Sequence, residues 1–283
     1  MSILSTPLHC AHAADNFPIF NNLKVRDGLP VHEIFTIAQD SDGFMWLGTI
    51  DGLIRYDGYE MKVFHKGRDT AFLLPDNQIT DLVADGQNGM WVGSYKGLIH
   101  LNTHNGTTRL IDLGGPREVR CLLPSNDSIL WVGTSEGLFK YNQKTGHYVL
   151  YNEENSKLGS NIVRALYADS RGQLWVGTFN GLNRISPDGS FLHFNLKGSY
   201  KPELKNNLIL DIKPFEDKND SKLWIGTETG LVLFDVNSFV LDTYNQSNTA
   251  FSNEVVKCIF PLSDGRVYFG TDFGFHEFDL RSR

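Results

Sequence analysis

From residue 31 onward, apolar positions alternate with polar ones in short runs, each closed by Gly, Asp, Asn or Ser. That period of two marks strands half-buried in a sheet. No stretch holds a 3.6-residue period for long, so helices are not expected. The first full unit reads as four strands. VHEIFTIAQ (residues 31–39) is the inner strand, and DSDG (40–43) is a turn in which Gly supplies positive φ. FMWLGT (44–49) follows, Ile50-Asp51-Gly52 turns the chain, LIRYD (53–57) is the third strand and YEMKVFH (59–65) the outer one.

The chain writes this unit six times. WLGTIDGLIRYDG begins at Trp46 and returns as WVGSYKGLIHLN at Trp91, WVGTSEGLFKYN at Trp131, WVGTFNGLNRIS at Trp175 and WIGTETGLVLFD at Trp224, with a worn copy, YFGTDFGFHEFD, at Tyr268. The spacings are 45, 40, 44, 49 and 44 residues. A period near 40–45 with several short strands per unit predicts a β-propeller, and the β-branched and aromatic content excludes a helical solenoid. One four-stranded blade cannot cover both of its faces, so the repeated Trp and the Leu after the second Gly are expected in the core between blades. The Gly after Trp-x is expected to let the neighbouring backbone approach closely. The repeat is therefore structural.

Closure leaves two readings. FPIFNNLKVRDGLP (residues 17–30) resembles an outer strand plus the link into an inner strand, whereas the sixth repeat stops at FHEFDLRSR without an outer strand. Either the N-terminal strand completes blade six and latches a six-bladed ring, removing an exposed edge, or the chain is a fragment of a seven-bladed propeller.

Composition narrows the function classes. With 283 residues, 41% hydrophobic and 12% aromatic, the chain can bury a large core. A net charge of −7 and the lack of any Lys/Arg run argue against nucleic acid as a partner. No apolar run approaches the roughly 18 residues of a membrane span, so membrane attachment is expected only through segments outside this sequence. Residues 1–13 end in Ala11-His12-Ala13, a small-x-small pattern expected of the remnant of a secretory signal, although the charged and most of the apolar regions are missing. A short unstructured tail is the alternative. Cys10 lacks the small residues that acylation requires. Residues 14–283 are assigned to the propeller. Cys121 and Cys258 hold the same place in repeats three and six, too far apart in a ring for a disulfide, and are expected to be buried free thiols.

GLPVHEIFTIAQDSDGFMWLGTIDGLIRYDG (residues 28–58) resembles the two-component regulator propeller repeat, and the resemblance covers about residues 17–283. The D-x-x-G turn, W-[LVI]-G-[TS]-x-x-G-L and the spacing occur together, most fully in repeats one and four. Repeats three and five depart with SNDSILW and KNDSKLW, and repeat six loses both the Trp and the Leu. The resemblance implies the periplasmic sensor region of a bacterial hybrid histidine kinase or related signalling protein. In such proteins, propellers similar to seven-bladed rings precede a β-sandwich, a membrane helix and a cytoplasmic output domain. None of those later parts is recognisable here. Many relatives sense carbohydrates, so the implied partner is a small molecule or oligosaccharide, with a homodimer formed through domains outside this sequence.

Two sets of residues are candidates for the binding site. The turns between second and third strands vary from repeat to repeat, and they place Tyr95, Phe179 and Phe273 where burial does not demand an aromatic. Such faces suit a sugar ring; packing on the adjacent blade is the alternative. Near the start of the inner strand, Phe35, Thr80, Arg120, Arg164, Leu210 and Lys257 align, followed by Thr36, Asp81, Cys121, Ala165, Asp211 and Cys258. Arg120, Arg164 and Lys257 could converge on an anionic group. The favoured alternative pairs them with Asp81, Asp211 or nearby carboxylates in a wet channel.

Catalysis and metal binding find no support. The histidines show no H-x-H or H-E-x-x-H pairing, DSDG lacks the rest of a calcium loop, and no G-x-S-x-G occurs. No cofactor is expected. The sequence reads as a ligand-sensing, extracytoplasmic propeller without enzymatic activity, with a protein-interaction platform as the alternative.

Overall fold

The computed structural model describes residues 29, 31, 33–68, 72–126, 128–194, 208–215 and 221–280. They form an all-β, six-bladed β-propeller, with five four-stranded sheets and a three-stranded sixth. Blade one comprises β1 (Ile34–Gln39), β2 (Met45–Thr49), β3 (Gly52–Tyr56) and β4 (Met61–Phe64), paired antiparallel in chain order. The inner strands of the next four blades are β5 (Ile79–Ala84), β9 (Val119–Asn126), β13 (Val163–Ala168) and β17 (Ile209–Pro214). Blade six comprises β21 (Cys258–Pro261), β22 (Arg266–Thr271) and β23 (Gly274–Asp279). The proposed latch, residues 17–30, lies outside the described residues except for Leu29, which packs on Leu47 and Ile54 of blade one.

Each letter of the repeat has a physical job. The Thr or Ser after Trp-x-Gly donates its hydroxyl to the carbonyl of the Gly three residues on, at 2.8–3.0 Å from Thr49, Ser94, Thr134, Thr178, Thr227 and Thr271. This clamps the turn between second and third strands, where Gly52 and its equivalents take positive φ, a conformation that a side chain would strain. The Trp-x-Gly glycine meets the next blade. A Cβ on Gly177 would lie 2.5 Å from Ile209 Cγ2, and one on Gly93 would lie 2.6 Å from Val119 Cγ1. The Trp and Leu positions fill the junctions as expected. Trp46 and Leu53 of blade one, for example, join Ile79, Met90 and Val92 of blade two in one core.

The D-x-x-G turn fastens the Trp within its own blade. Asp40 accepts the N–H groups of Asp42 and Phe44 through Oδ1 and the indole N–H of Trp46 through Oδ2. Asp169 does the same for Trp175, at 3.1 Å. Blade two departs. There His100 Nε2 lies 2.9 Å from Asp85 Oδ2, and the buried Trp91 Nε1 has no partner.

Junctions one to five are alike, but the seam between blade six and blade one differs. Ile79, Val119, Val163, Ile209 and Val256 each pack under the preceding blade and are 0% exposed, whereas the equivalent Ile34 is 38% exposed. Beside Gly270, a Cβ would meet, among the described residues, only Cys258 of its own blade. Phe260 and Phe275 of blade six are correspondingly exposed. Cys258 is exposed too, which corrects the expectation of two buried thiols: Val163 of the following blade packs beside Cys121 at Gly133, and among the described residues nothing does so beside Cys258.

Candidate functional site: the rim of the central channel

A β-bulge repeats at the same place in five inner strands. Pairing skips from Ile34 to Thr36, Ile79 to Asp81, Val119 to Cys121, Val163 to Ala165 and Ile209 to Asp211. The residues left over are Phe35, Thr80, Arg120, Arg164 and Leu210. In blade six the ladder begins with Lys257 N–H on the Gly270 carbonyl, so Lys257 holds the equivalent place. A bulge re-aims one side chain out of the pleat. Because the inner strands surround the axis, these six positions form one rim. They lie at the strand end that also carries the turns between second and third strands, since Ile34 pairs with Thr49 and Val163 with Thr178. Both candidate sets therefore share one end of the channel.

The residues after the bulges join the blades. Asp81 Oδ2 accepts the N–H of Leu122 in blade three at 2.7 Å, and Oδ1 accepts the Leu82 N–H and the Thr36 hydroxyl of blade one. Asp211 repeats the motif, accepting the Ile259 N–H of blade six at 2.8 Å and the Ile212 N–H. Burial drives the Asp81 carboxyl up to about 6, against the pull of those donors. Asp211 additionally holds Lys213 Nζ at 3.0 Å.

The favoured alternative holds in one form: Arg120 and Lys257 pair with nearby carboxylates, Glu118 and Asp272, and not with Asp81 or Asp211, whose oxygens accept backbone N–H groups, the Thr36 hydroxyl and Lys213 Nζ. The cations fare differently from one another. Lys257 is ion-paired with Asp272 in the turn of its own blade. Arg120 Nη2 lies 2.7 Å from Glu118 Oε1, while its Nε is buried without a partner. Arg164 makes no hydrogen bond or ion pair among the described residues. Its pKa is held below the usual guanidinium value, chiefly by burial and next by the Arg120 charge beside it, against the pull of Glu118 and Glu228. Arg120 and Arg164 are therefore brought together, and Lys257 is not shown with them. Burial, followed by the Asp81 charge, pushes the Cys121 thiol up, which makes it an inert core group.

Tyr95, Phe179 and Phe273 are 46%, 43% and 77% exposed, and none stacks on another ring among the described residues. Sequence reasoning missed Glu118 and Asp272, which hold cations from the link and the turn, and Lys213 on the channel side of β17. A shallow cavity of about 290 Å³ at the β3–β4 hairpin, lined by Arg55, Asp57, Glu60, Met61 and Lys62, lies on the outer part of blade one. Among the described residues no group of three or more His, Cys, Asp or Glu could hold a metal ion. No described helix is long and apolar enough to cross a membrane.

A family model described as two component regulator propeller matches residues 28–51, 73–96 and 157–180. Three of the six repeats thus match the two component regulator propeller repeat. The matched segments fall in repeats one, two and four, the ones that keep both an Asp-Gly turn and the Trp. Histidine kinase P4 of Formosa agariphila is 32% identical over 169 residues, which cover 55% of this chain and 12% of that protein. The propeller fold is also that of the extracellular domain of the hybrid two component system BT3049 from B. thetaiotaomicron, with TM-score 0.77 and 23% identity over 93% of this chain and 36% of that one. Virginiamycin B lyase from Staphylococcus aureus shares the fold at TM-score 0.64 and 11% identity, covering 88% of this chain and 85% of that one. The propeller fold is thus common to signalling ectodomains and a lyase, and fold alone does not choose between them.

Proposed function

We propose that the chain is the extracytoplasmic input domain of a bacterial signalling protein and binds a small ligand, a carbohydrate, at the rim of its channel. One observation carries this reading. A frame whose Trp, Thr and Gly roles repeat from blade to blade presents, at one end of the channel, turn residues that differ in every blade, beside a rim of varied side chains. Exposed aromatic faces at Tyr95 and Phe179 beside polar rim groups suit the apolar and hydroxyl faces of a sugar. The two-component relatives support a sensory role, and the reading assigns no catalytic step to the chain. The test is a thermal-shift screen of the chain against mono- and oligosaccharides. A ligand at about 100 times its Kd stabilises the fold by about 2.7 kcal/mol. A cooperative melt that no sugar displaces would contradict the reading.

A second reading, a protein-interaction platform, draws on blade six, where Phe260, Phe273 and Phe275 stand exposed close together in sequence. It predicts that replacing these three residues abolishes partner binding while sugar binding, if present, persists.

A further inference from the structure

Of the six rim positions, only those of blades three and four are basic and adjacent; Arg120 is paired with Glu118, and Arg164 has no ion pair among the described residues. Asp81 spends both oxygens on Leu122, Leu82 and Thr36. Glu118 occupies a single terminal nitrogen of Arg120, leaving its buried Nε unpaired. Arg164 keeps its whole guanidinium fork, half-buried beside a second positive charge. Buried polar groups are mostly hydrogen-bonded, so the open fork of Arg164 beside Arg120 is a place where an outside acceptor fits.

We propose that Arg120 and Arg164 together bind a carboxylate on the sensed ligand, so that the ligand is an acidic sugar rather than a neutral one. This rests on the ligand-sensing reading above and deepens it. The planar carboxylate matches the guanidinium fork, with Arg164 giving a bidentate contact and Arg120 contributing its charge alongside. A carboxylate placed there relieves the repulsion between the two cations. Glu118 and Glu228 flank the pair, which limits the site to one oxyanion and disfavours polyanions. The exposed aromatic of the blade-four turn, Phe179, lies at the same end of the channel and offers a face to the sugar ring.

The two roles of Arg164 pull in opposite directions, and this makes the proposal testable. Calorimetric titration of the chain with glucuronate, glucose and acetate is run on the wild type, Arg164→Gln and Arg120→Gln, with each variant first melted without ligand. Glucuronate is expected to bind and glucose not. Arg164→Gln is expected to weaken glucuronate by at least about tenfold, the worth of a charge-assisted hydrogen bond, while its ligand-free melting temperature is unchanged or higher. Glucose and glucuronate binding equally, with Arg164→Gln binding like the wild type, would overturn the carboxylate proposal and leave the sugar-sensing reading standing. Acetate binding through Arg164 with no gain from the sugar would keep the carboxylate site and remove the carbohydrate. Binding of none of the three would overturn the proposal, and the sensing reading would then rest on the wider sugar screen. A ligand-free Arg164→Gln that melts markedly lower would mark the arginine as structural and overturn it as well.

Discussion

Trp46 donates its indole N–H to Asp40 at 2.6 Å, whereas Trp91, its equivalent one blade on, is buried with that N–H unpaired. The difference is His100. It takes the carboxylate oxygen of Asp85 that the indole would otherwise use, and its ring lies 4.4 Å from the Trp91 ring. Burial alone would raise the Asp85 pKa, but the Gln87 N–H, His100 and the Gly89 N–H together hold it below its ordinary value.

Trp46→Phe therefore removes a charge-assisted hydrogen bond and leaves a buried carboxylate oxygen unpaired, whereas Trp91→Phe deletes a donor that had no acceptor. Urea denaturation should show the first costing about 2 kcal/mol more than the second. Equal losses would mean that the indole–Asp bond adds nothing to the fold.

The seam predicts a second asymmetry. Ile79→Ala should cost about 2–5 kcal/mol, because Ile79 is fully enclosed at a junction. Ile34→Ala should cost under about 1 kcal/mol, because its counterpart face is open. Likewise Gly177→Ala should destabilise by about 1–3 kcal/mol by forcing Ile209 outward. Denaturation midpoints of the three variants decide the matter, and an Ile34→Ala loss as large as that of Ile79→Ala would show the seam to be packed.

Asp81 gives the junctions a pH dependence. Its folded pKa of about 6 lies above the ordinary 3.8, so its contribution to stability is fully present below about pH 4 and is lost as pH rises through 6. Because the residue is only partly buried, the loss between pH 4.5 and 7 is about 1 kcal/mol. Wild type should lose that amount relative to Asp81→Asn over this range. A difference that is flat, or that grows with pH, would contradict the assignment.

The frame was legible in the sequence because its rules are local. A Thr hydroxyl reaching a Gly carbonyl three residues on is fixed by spacing, whereas a turn Asp reaching a Trp six residues on also needs that oxygen free, as blade two shows. The rim was legible only as an alignment. Asp81 and Asp211 were read as lining groups, yet their partners are backbone N–H groups of the next blade, and the stagger between blades is written in no local pattern. Nor does the sequence mark the bulge that singles out Arg120 and Arg164, since an extra residue in one strand leaves the alternation on either side intact. Lys257 aligned with them and still differs, because Asp272 in the turn reaches it first. Cys258 looked like Cys121, yet it is exposed where Cys121 is buried.

The central claim is that the repeated residues build the frame and the varied residues at one end of the channel bind the ligand. The most direct test melts the wild type and Phe179→Ala with and without the sugars and sugar acids of the screen. The account predicts a ligand that raises the wild-type melting temperature, and a Phe179→Ala variant that melts like the wild type alone but no longer responds. A response that survives in Phe179→Ala, together with loss of the response in variants at the outer strands, would place the site elsewhere and contradict it.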